Sequence, residues 1–482
     1  MYKIENQLKF EDFIFPYGKL NENNRWIKLS KIIPWDEIEI KYAKKFRKKG
    51  NPAKSVRIAL GTLIIQQTLN CSDRELVNQV SENPYLQFFI GLKEFQERAP
   101  FSASVLVDFR KRFSAKFLAE INELIIESET KKDDDDSDSS NKGTVIIDAT
   151  CTPADIAFPQ DLTLLNKSRE NLEKIIDNLH NSTDGKKPRT YRKKARKDFL
   201  NTSKAKRKTA RVVRKAIGKQ LNYIKRDLGY INTMVESGKC LSEKEMEILK
   251  IITEVYTQQK EMYDNHKHSV ANRIVNLNQP HIRPIVRGKA SAKTEFGAKV
   301  EISVVDGYVR VEKLSWDAYN ECDSLIDIVE NFKNRTGRYP ERVLVDKIYR
   351  NRKNLSYCKE NNIRISGPAL GRPKKDDTRD RKVEYIDLCD RNAVEGKFGE
   401  GKRAHGLNRI FAKLKETSEC VINTAFFVLN LNKRLRSLLQ LFLEKLSNLY
   451  EIKKYEFLIE IRVCWANPTY KQELLGQISI YL

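Results

Sequence analysis

Two aspartates close short apolar runs: Asp148 follows Val145-Ile146-Ile147, and Asp346 follows Val343-Leu344-Val345. Farther along, Arg391, Glu395 and Lys402 fall in a segment, residues 390–415, that reads as helix. At about 100° per residue these three side chains lie within roughly 40° of one another on one face. Two strand ends and a helix would thus supply three carboxylates with two cations beside them. Two-metal chemistry needs carboxylates that bridge or flank two Mg²⁺ ions roughly 4 Å apart, one ion activating the attacking oxygen and the other stabilising the leaving one. Mg²⁺ takes hard oxygen ligands and keeps several waters, so few acids are required. In such a site Asp148 is the bridging ligand, Asp346 holds one ion and Glu395 the other, with Mn²⁺ as the substitute ion. Singly, each acid has a plain alternative, since Asp often ends a strand and a helical Glu usually faces solvent. Together they suit Mg²⁺-dependent phosphoryl transfer on nucleic acid.

The elements that must position these residues follow from periodicity. The first strand spans 144–150. Ala298, Val300, Ile302 and Val304 then alternate with polar neighbours up to Asp306-Gly307, after which Val309 and Val311 resume the alternation. Asp-Gly between alternating runs is a hairpin signal. A helix is expected at about 318–335, a strand at 342–346, a helix near 351–361, a short strand at 363–365 and the long helix from 390. The order β–β–β–α–β–α–β–α, with acids on the first strand, the fourth strand and the last helix, is that of an RNase H-like mixed sheet flanked by helices. This core spans 144–440, followed by a C-terminal tail, 441–482.

Ahead of the core, residues 1–130 read as a helical domain. Val56 to Leu69 is apolar, Ser72-Asp73-Arg74-Glu75 is a capping-box start, and Ser102 or Ser104 opens a helix ending in Arg110-Lys111-Arg112. Short helices with a terminal basic triplet resemble a helix-turn-helix reader of DNA, which would set Arg110, Lys111 and Arg112 against it. A small helical packing domain is the alternative. The acidic run within 131–143 has no apolar residue to bury and repels itself, so it reads as a solvated linker.

Residues 160–275 interrupt the core as a long helical insertion. Its segment 186–226 holds 18 Lys and Arg and a single acid, Asp198. Val213, Ile217, Ile224, Leu228 and Ile231 recur there at helical spacing, leaving one apolar stripe and an otherwise basic surface. A one-sign face this dense, including Lys193, Lys194, Arg196, Lys206, Arg207 and Lys208, suits a clamp on a DNA backbone; the alternative is a solvated arm packed on the core.

Bulk properties agree. The chain has 89 Lys and Arg against 65 Asp and Glu, a net charge of +24, and a surplus of that size implies a polyanionic partner. The eight cysteines are scattered with no C-x-x-C pair, which argues against structural zinc or a disulfide framework. Residues 1–15 mix charges among apolar residues and are no signal peptide. The apolar stretch 424–443 contains Lys433, Arg434 and Arg436 and is a poor bilayer span. A soluble cytoplasmic protein is expected.

These blocks together resemble the DDE transposases of bacterial insertion sequences, over nearly the whole chain. Ser81-Glu82-Asn83-Pro84-Tyr85-Leu86-Gln87-Phe88-Phe89-Ile90-Gly91-Leu92, with Pro100-Phe101 and Phe109-Arg110-Lys111-Arg112, is similar to their N-terminal domain. Asp148-Ala149-Thr150, Pro153-Ala154-Asp155-Ile156, Pro159-Gln160-Asp161 and Leu164-Leu165-Asn166 resemble the first-acid block. Val345-Asp346-Lys347-Ile348-Tyr349-Arg350 and Gly367-Pro368-Ala369-Leu370-Gly371-Arg372-Pro373 resemble the second-acid block and the loop behind it. The third block follows the family pattern Tyr-x2-Arg-x3-Glu-x6-Lys with Arg391, Glu395 and Lys402, but Leu388 stands in place of the Tyr. Only 48 residues separate Asp346 from Glu395, too few for the β-domain that some relatives insert there. The resemblance implies phosphate contacts by Arg391 and Lys402 at the element's ends, and a homodimer on double-stranded DNA that cuts and joins two ends. A nuclease or resolvase of the same fold, and a non-catalytic DNA-binding descendant, are the other readings; three convergent acids argue against the last.

Overall fold

The computed structural model describes residues 12–16, 18–46, 52–130, 140–181, 185–286, 294–367 and 381–438, together with 2, 9 and 440. The acidic run 131–139, most of the loop 367–373 and the tail 441–482 lie outside the described residues.

One mixed sheet organises the core. Its strands are β1 (Thr144–Pro153), β2 (Arg283–Val286), β3 (Thr294–Val305), β4 (Tyr308–Ser315), β5 (Arg342–Leu344) and β6 (Arg364–Ile365). β3 runs antiparallel to β1, β2 and β4, while β1, β5 and β6 are parallel neighbours. The order β4-β3-β1-β5-β6, with short β2 on the same edge of β3 as β4, is RNase H-like. The turn between β3 and β4 has positive φ at both Asp306 (50°) and Gly307 (74°), the backbone that Asp-Gly permits at low steric cost and that matches strand twist. Where β1 and β3 cross closest, a Cβ on Gly297 would stand 2.1 Å from the Thr152 carbonyl oxygen, so only glycine fits there.

Helices cover both faces of the sheet. On one side α12 (Leu325–Thr336) and α13 (Arg352–Glu360) pack on Val145, Ile147, Val343 and Val345. On the other, α14 (Arg381–Ala404) and α15 (415–438) pack on Ile146, Val300, Ile302 and Leu344. The expected helix from 390 to 415 is shifted: α14 starts earlier and stops at Ala404, before Gly406 turns the chain at φ 69°, and helix resumes only at 415. A side chain at Gly406 would also press on Asn70 Oδ1, 2.8 Å from its Cβ.

The N-terminal unit is built, among the described residues, from α1 (Arg25–Ile32), α2 (Trp35–Ala43), α3 (Val56–Leu69), α4 (Asp73–Glu82), α5 (Pro84–Phe89), α6 (Val105–Arg112) and α7 (Ala115–Thr130). Ser72 caps α4 by accepting from the Glu75 N–H at 3.2 Å. The apolar helix α3 is central. Its cluster is completed by Cys420, Phe427, Val428 and Leu431 of α15, whose other face carries Ile422, Ala425 and Leu429 into the sheet cluster. One helix thus serves both cores. Polar joins reinforce it: Asn430 Nδ2 donates to Asn122 Oδ1 (2.7 Å), and Arg310 Nε donates to Glu123 (2.9 Å).

The insertion has its own core, formed by α8 (Asp161–Leu179), α9 (Arg192–Ser203), α10 (Ala210–Glu236) and α11 (Glu243–Asp264). Ile224 and Ile231 of the stripe on α10 are fully buried, with Ile217 and Leu228 packed against them. Ser242 and Glu245 form a capping box at the start of α11.

Candidate active site

The parallel ladder between β1 and β5 pairs Ile146 with Leu344; two residues farther along each chain come Asp148 and Asp346. The ladder ends there, so each acid follows its last pair by two residues, and the two charges are close enough to act on one another. Asp148 is half-buried and accepts from the Ala149 N–H (2.8 Å). Its carboxyl is pushed up to about 6 by burial, offset by the Ala149 N–H and Arg391 and reinforced by the negative charges of Glu321 and Asp346. Asp346 is exposed and caps a 3₁₀ turn, Lys347–Tyr349, by accepting from Lys347 N–H at 2.7 Å. An open cleft of about 550 Å³ lies at Asp346, with Lys347, Ser366, Leu388 and Arg391 among its walls.

Helix α14 is fastened across this edge. Asp387, buried at its start, accepts from Arg342 of β5 (3.1 Å) and from Arg364 of β6 (2.9 Å), and Arg342 also pairs with Asp390 at 2.7 Å. Val394 and Phe398 bury one face against the sheet. Lys402 donates to Thr150 Oγ1 on β1. The structure therefore brings Asp148, Asp346, Arg391 and Lys402 to one strand edge. Glu395 is on the same helix but is not gathered in: its side chain is 58% exposed and pairs with Arg391 at 3.5 Å. Like charges repel, and the guanidinium one turn earlier offers Glu395 a counter-charge. Among the described residues no three His, Cys, Asp or Glu side chains cluster closely enough to hold an ion.

The donor set still suits a divalent cation. A half-buried carboxylate crowded by two further acids is stabilised by positive charge, and hard oxygens are what Mg²⁺ takes. Sequence reasoning missed several residues around the pair. Glu301 of β3 was among the polar neighbours of an alternating strand, yet it is fully buried because helices cover both sheet faces. Burial pushes its carboxyl up, while the Ser324 and Tyr349 hydroxyls pull it down. Glu321 pairs with Lys299 at 2.8 Å. No spacing rule pointed to either acid, since their partners come from distant segments.

The basic candidates divide by exposure. Lys193, Lys194 and Arg196 on α9, and Lys206, Arg207 and Lys208 on the turn after it, are all exposed. Lys193, Arg196, Lys197 and Lys204 line a shallow concave surface of that arm. The acids nearby are already engaged: Asp198 by Lys219 (2.8 Å) and Tyr223 (3.0 Å), and Asp177 by Arg192 and Lys187. Arg110 corrects an expectation. It faces the interior of the helical unit, donating to Asp73 Oδ2 (3.0 Å) and Gln66 Oε1 (2.7 Å), because a buried cation on the inner face of α6 must find a counter-charge and acceptors. It is not available to DNA. Arg112 is half-buried over the rings of Phe46 and Phe109, and Lys111 is exposed.

An RNase H-like sheet with one acid midway along a central strand, Asp148, and another just past the end of its parallel neighbour, Asp346, is the architecture of polynucleotidyl transferases. Residues 343–432 match the family described as "Transposase DDE domain", and residues 16–112 match "Transposase domain (DUF772)". The first match runs from β5 through Asp346, Arg391, Glu395 and Lys402 into α15. A Rhizobium meliloti protein, "Uncharacterized protein ORF8 in nfe locus", is 31% identical over 153 residues, covering 32% of this chain and 73% of that protein. No solved structure matches. The chain belongs to the DDE transposases.

Proposed function

We propose that this transposase binds the terminal inverted repeats of an insertion sequence, hydrolyses a phosphodiester there with Mg²⁺ or Mn²⁺ to free a 3′-OH, and directs that 3′-OH at target DNA. The observation that supports the reading is that Asp148 on β1 and Asp346, just past the end of β5, each follow the last pair of the parallel ladder by two residues, with α14 fastened across them. Asp148, Asp346 and Glu395 are the residues that would hold the ions. A divalent cation, when bound, stabilises charge developing on the attacking and leaving oxygens. The protein's own groups do the positioning. Arg391 and Lys402 flank the acids and offer a bidentate fork and a point charge to the phosphates beside the cut. The exposed cations of α9 and the turn after it hold backbone phosphates without reading bases, and Lys111 marks the face of the N-terminal unit, residues 1–130, that would approach DNA. Two ends must be cut and joined together, so a homodimer on DNA is the working form. No helix among the described residues is long and apolar enough to cross a membrane.

The test uses duplexes carrying the inverted repeats that flank the reading frame. Asp148→Ala, Asp346→Ala and Glu395→Ala should each abolish Mg²⁺-dependent cleavage and leave end binding largely intact. A pre-cleaved end should be joined to a target plasmid by the wild type. Cleavage without joining would make the protein a nuclease or resolvase, and near wild-type cutting by any one variant would remove that acid from the ligand set.

A further inference from the structure

Glu301 is a fully buried carboxyl that forms no ion pair among the described residues, in a strand position where an apolar residue would pack at lower cost. Both of its oxygens are used. Oε1 accepts from the Tyr349 hydroxyl at 2.7 Å and Oε2 from the Ser324 hydroxyl at 2.6 Å. Two features tie this group to the acid pair. Glu301 is paired across the ladder with Ala149, the residue after Asp148. Tyr349, also fully buried, ends the same 3₁₀ turn that Asp346 caps. Asn354 then locks the turn from behind, its Nδ2 donating to the Tyr349 and Cys322 carbonyls at 2.8 Å each.

We infer that Glu301 and Tyr349 are positioning residues of the transposase site: their hydrogen bond ties β3, which is laddered to β1 next to Asp148, to the turn bearing Asp346, and so sets the separation of the two acids. The link is needed because β5 ends at Leu344, so the β1–β5 ladder stops short of Asp346 and does not hold it beside Asp148. Asp346 is exposed and follows the placement of the turn that it caps. Misplacing a catalytic group by about 1 Å can cost about a hundredfold in rate, and loss of an outer partner of a metal ligand typically costs about 10–100-fold in metal affinity or activity.

The inference rests on the catalytic reading of Asp148 and Asp346, and the experiment separates the two. Tyr349→Phe deletes one hydroxyl. It should keep a cooperative thermal transition and the wild-type KM for the DNA end, lower kcat about 10–100-fold, and raise the half-saturating Mn²⁺ concentration about tenfold. That last value is read by electron paramagnetic resonance on the protein without DNA. Glu301→Gln, which keeps an acceptor for Tyr349, should retain far more of kcat than Glu301→Leu. Asp148→Asn is the control. If it cleaves like wild type, the catalytic reading fails. If it is inactive while Tyr349→Phe matches wild type in both kcat and Mn²⁺ binding, the positioning role is overturned and the catalytic reading stands. Should Tyr349→Phe not fold, equal kcat in Glu301→Gln and Glu301→Leu would overturn the inference.

Discussion

Lys402 Nζ donates to Thr150 Oγ1 at 2.8 Å, so the last cation of the α14 pattern is joined to β1 two residues beyond Asp148. Residues two apart on a strand share a face, which places the ammonium on the side of the sheet that Asp148 also presents. The lysine is therefore held at the strand edge rather than carried on a free stem.

That placement separates a phosphate contact from a helix anchor. A charge-assisted phosphate contact is worth on the order of 1.5–3 kcal/mol, so Lys402→Met should slow cleavage and strand transfer roughly tenfold to a hundredfold. Thr150→Val, which removes the anchor but leaves the charge, should have a much smaller effect. Equal losses in the two variants, measured at a salt concentration where binding is unsaturated, would make Lys402 a structural anchor alone.

Replacing Lys193, Lys194, Arg196, Lys204, Lys206, Arg207 and Lys208 with Gln should weaken DNA binding about equally for all sequences and flatten its salt dependence. Every phosphate left without its cation should reduce the log–log salt slope by roughly 0.9 on B-form DNA. Filter binding over a salt series reads this directly. An unchanged slope would show the surface to be solvated and idle.

Arg110 and Lys111 should behave oppositely despite being neighbours. Arg110→Ala leaves Asp73 and Gln66 without their buried partner, and because Asp73 is partly exposed the cost should be about 2–3 kcal/mol, below that of a wholly buried pair. Lys111→Ala should stay within about 0.5 kcal/mol in stability while weakening DNA binding. Denaturant titrations and a binding assay on both variants check the pair.

Asp227 gives the insertion a pH signature. Burial pushes its carboxyl up to about 7, with Arg226 opposing and Glu173 reinforcing the shift. The folded state then keeps a proton that the unfolded chain releases near its ordinary value of 3.8. Its contribution is full below about pH 4 and falls as pH rises through 7, since there folding takes up a proton. Asp227→Asn should remove that decline and gain stability relative to wild type as pH rises from 5 to 8. Parallel melting curves at those pH values decide it; a constant difference between the two proteins would refute the assignment.

Much of the architecture was written in local pattern. A strand buried on both faces must be continuously apolar, which is why Val145-Ile146-Ile147 and Val343-Leu344-Val345 stood out with an acid at each end. Asp306-Gly307 specified its turn through backbone sterics alone, and the stripe on α10 announced a buried face by its period. Such signals depend on residues close together in the chain. What only the tertiary structure decided concerns polar groups whose partners arrive from far away. Glu301 looked like a solvent-facing strand residue until α12 and the Tyr349 turn covered it. Arg110 looked like the tip of a basic triplet until Asp73 and Gln66 drew it inward. The same holds for α15, whose two apolar faces serve two cores. A polar side chain's orientation is set by the cheapest partner for its charge once water is excluded, and that partner is known only when the chain has closed on itself.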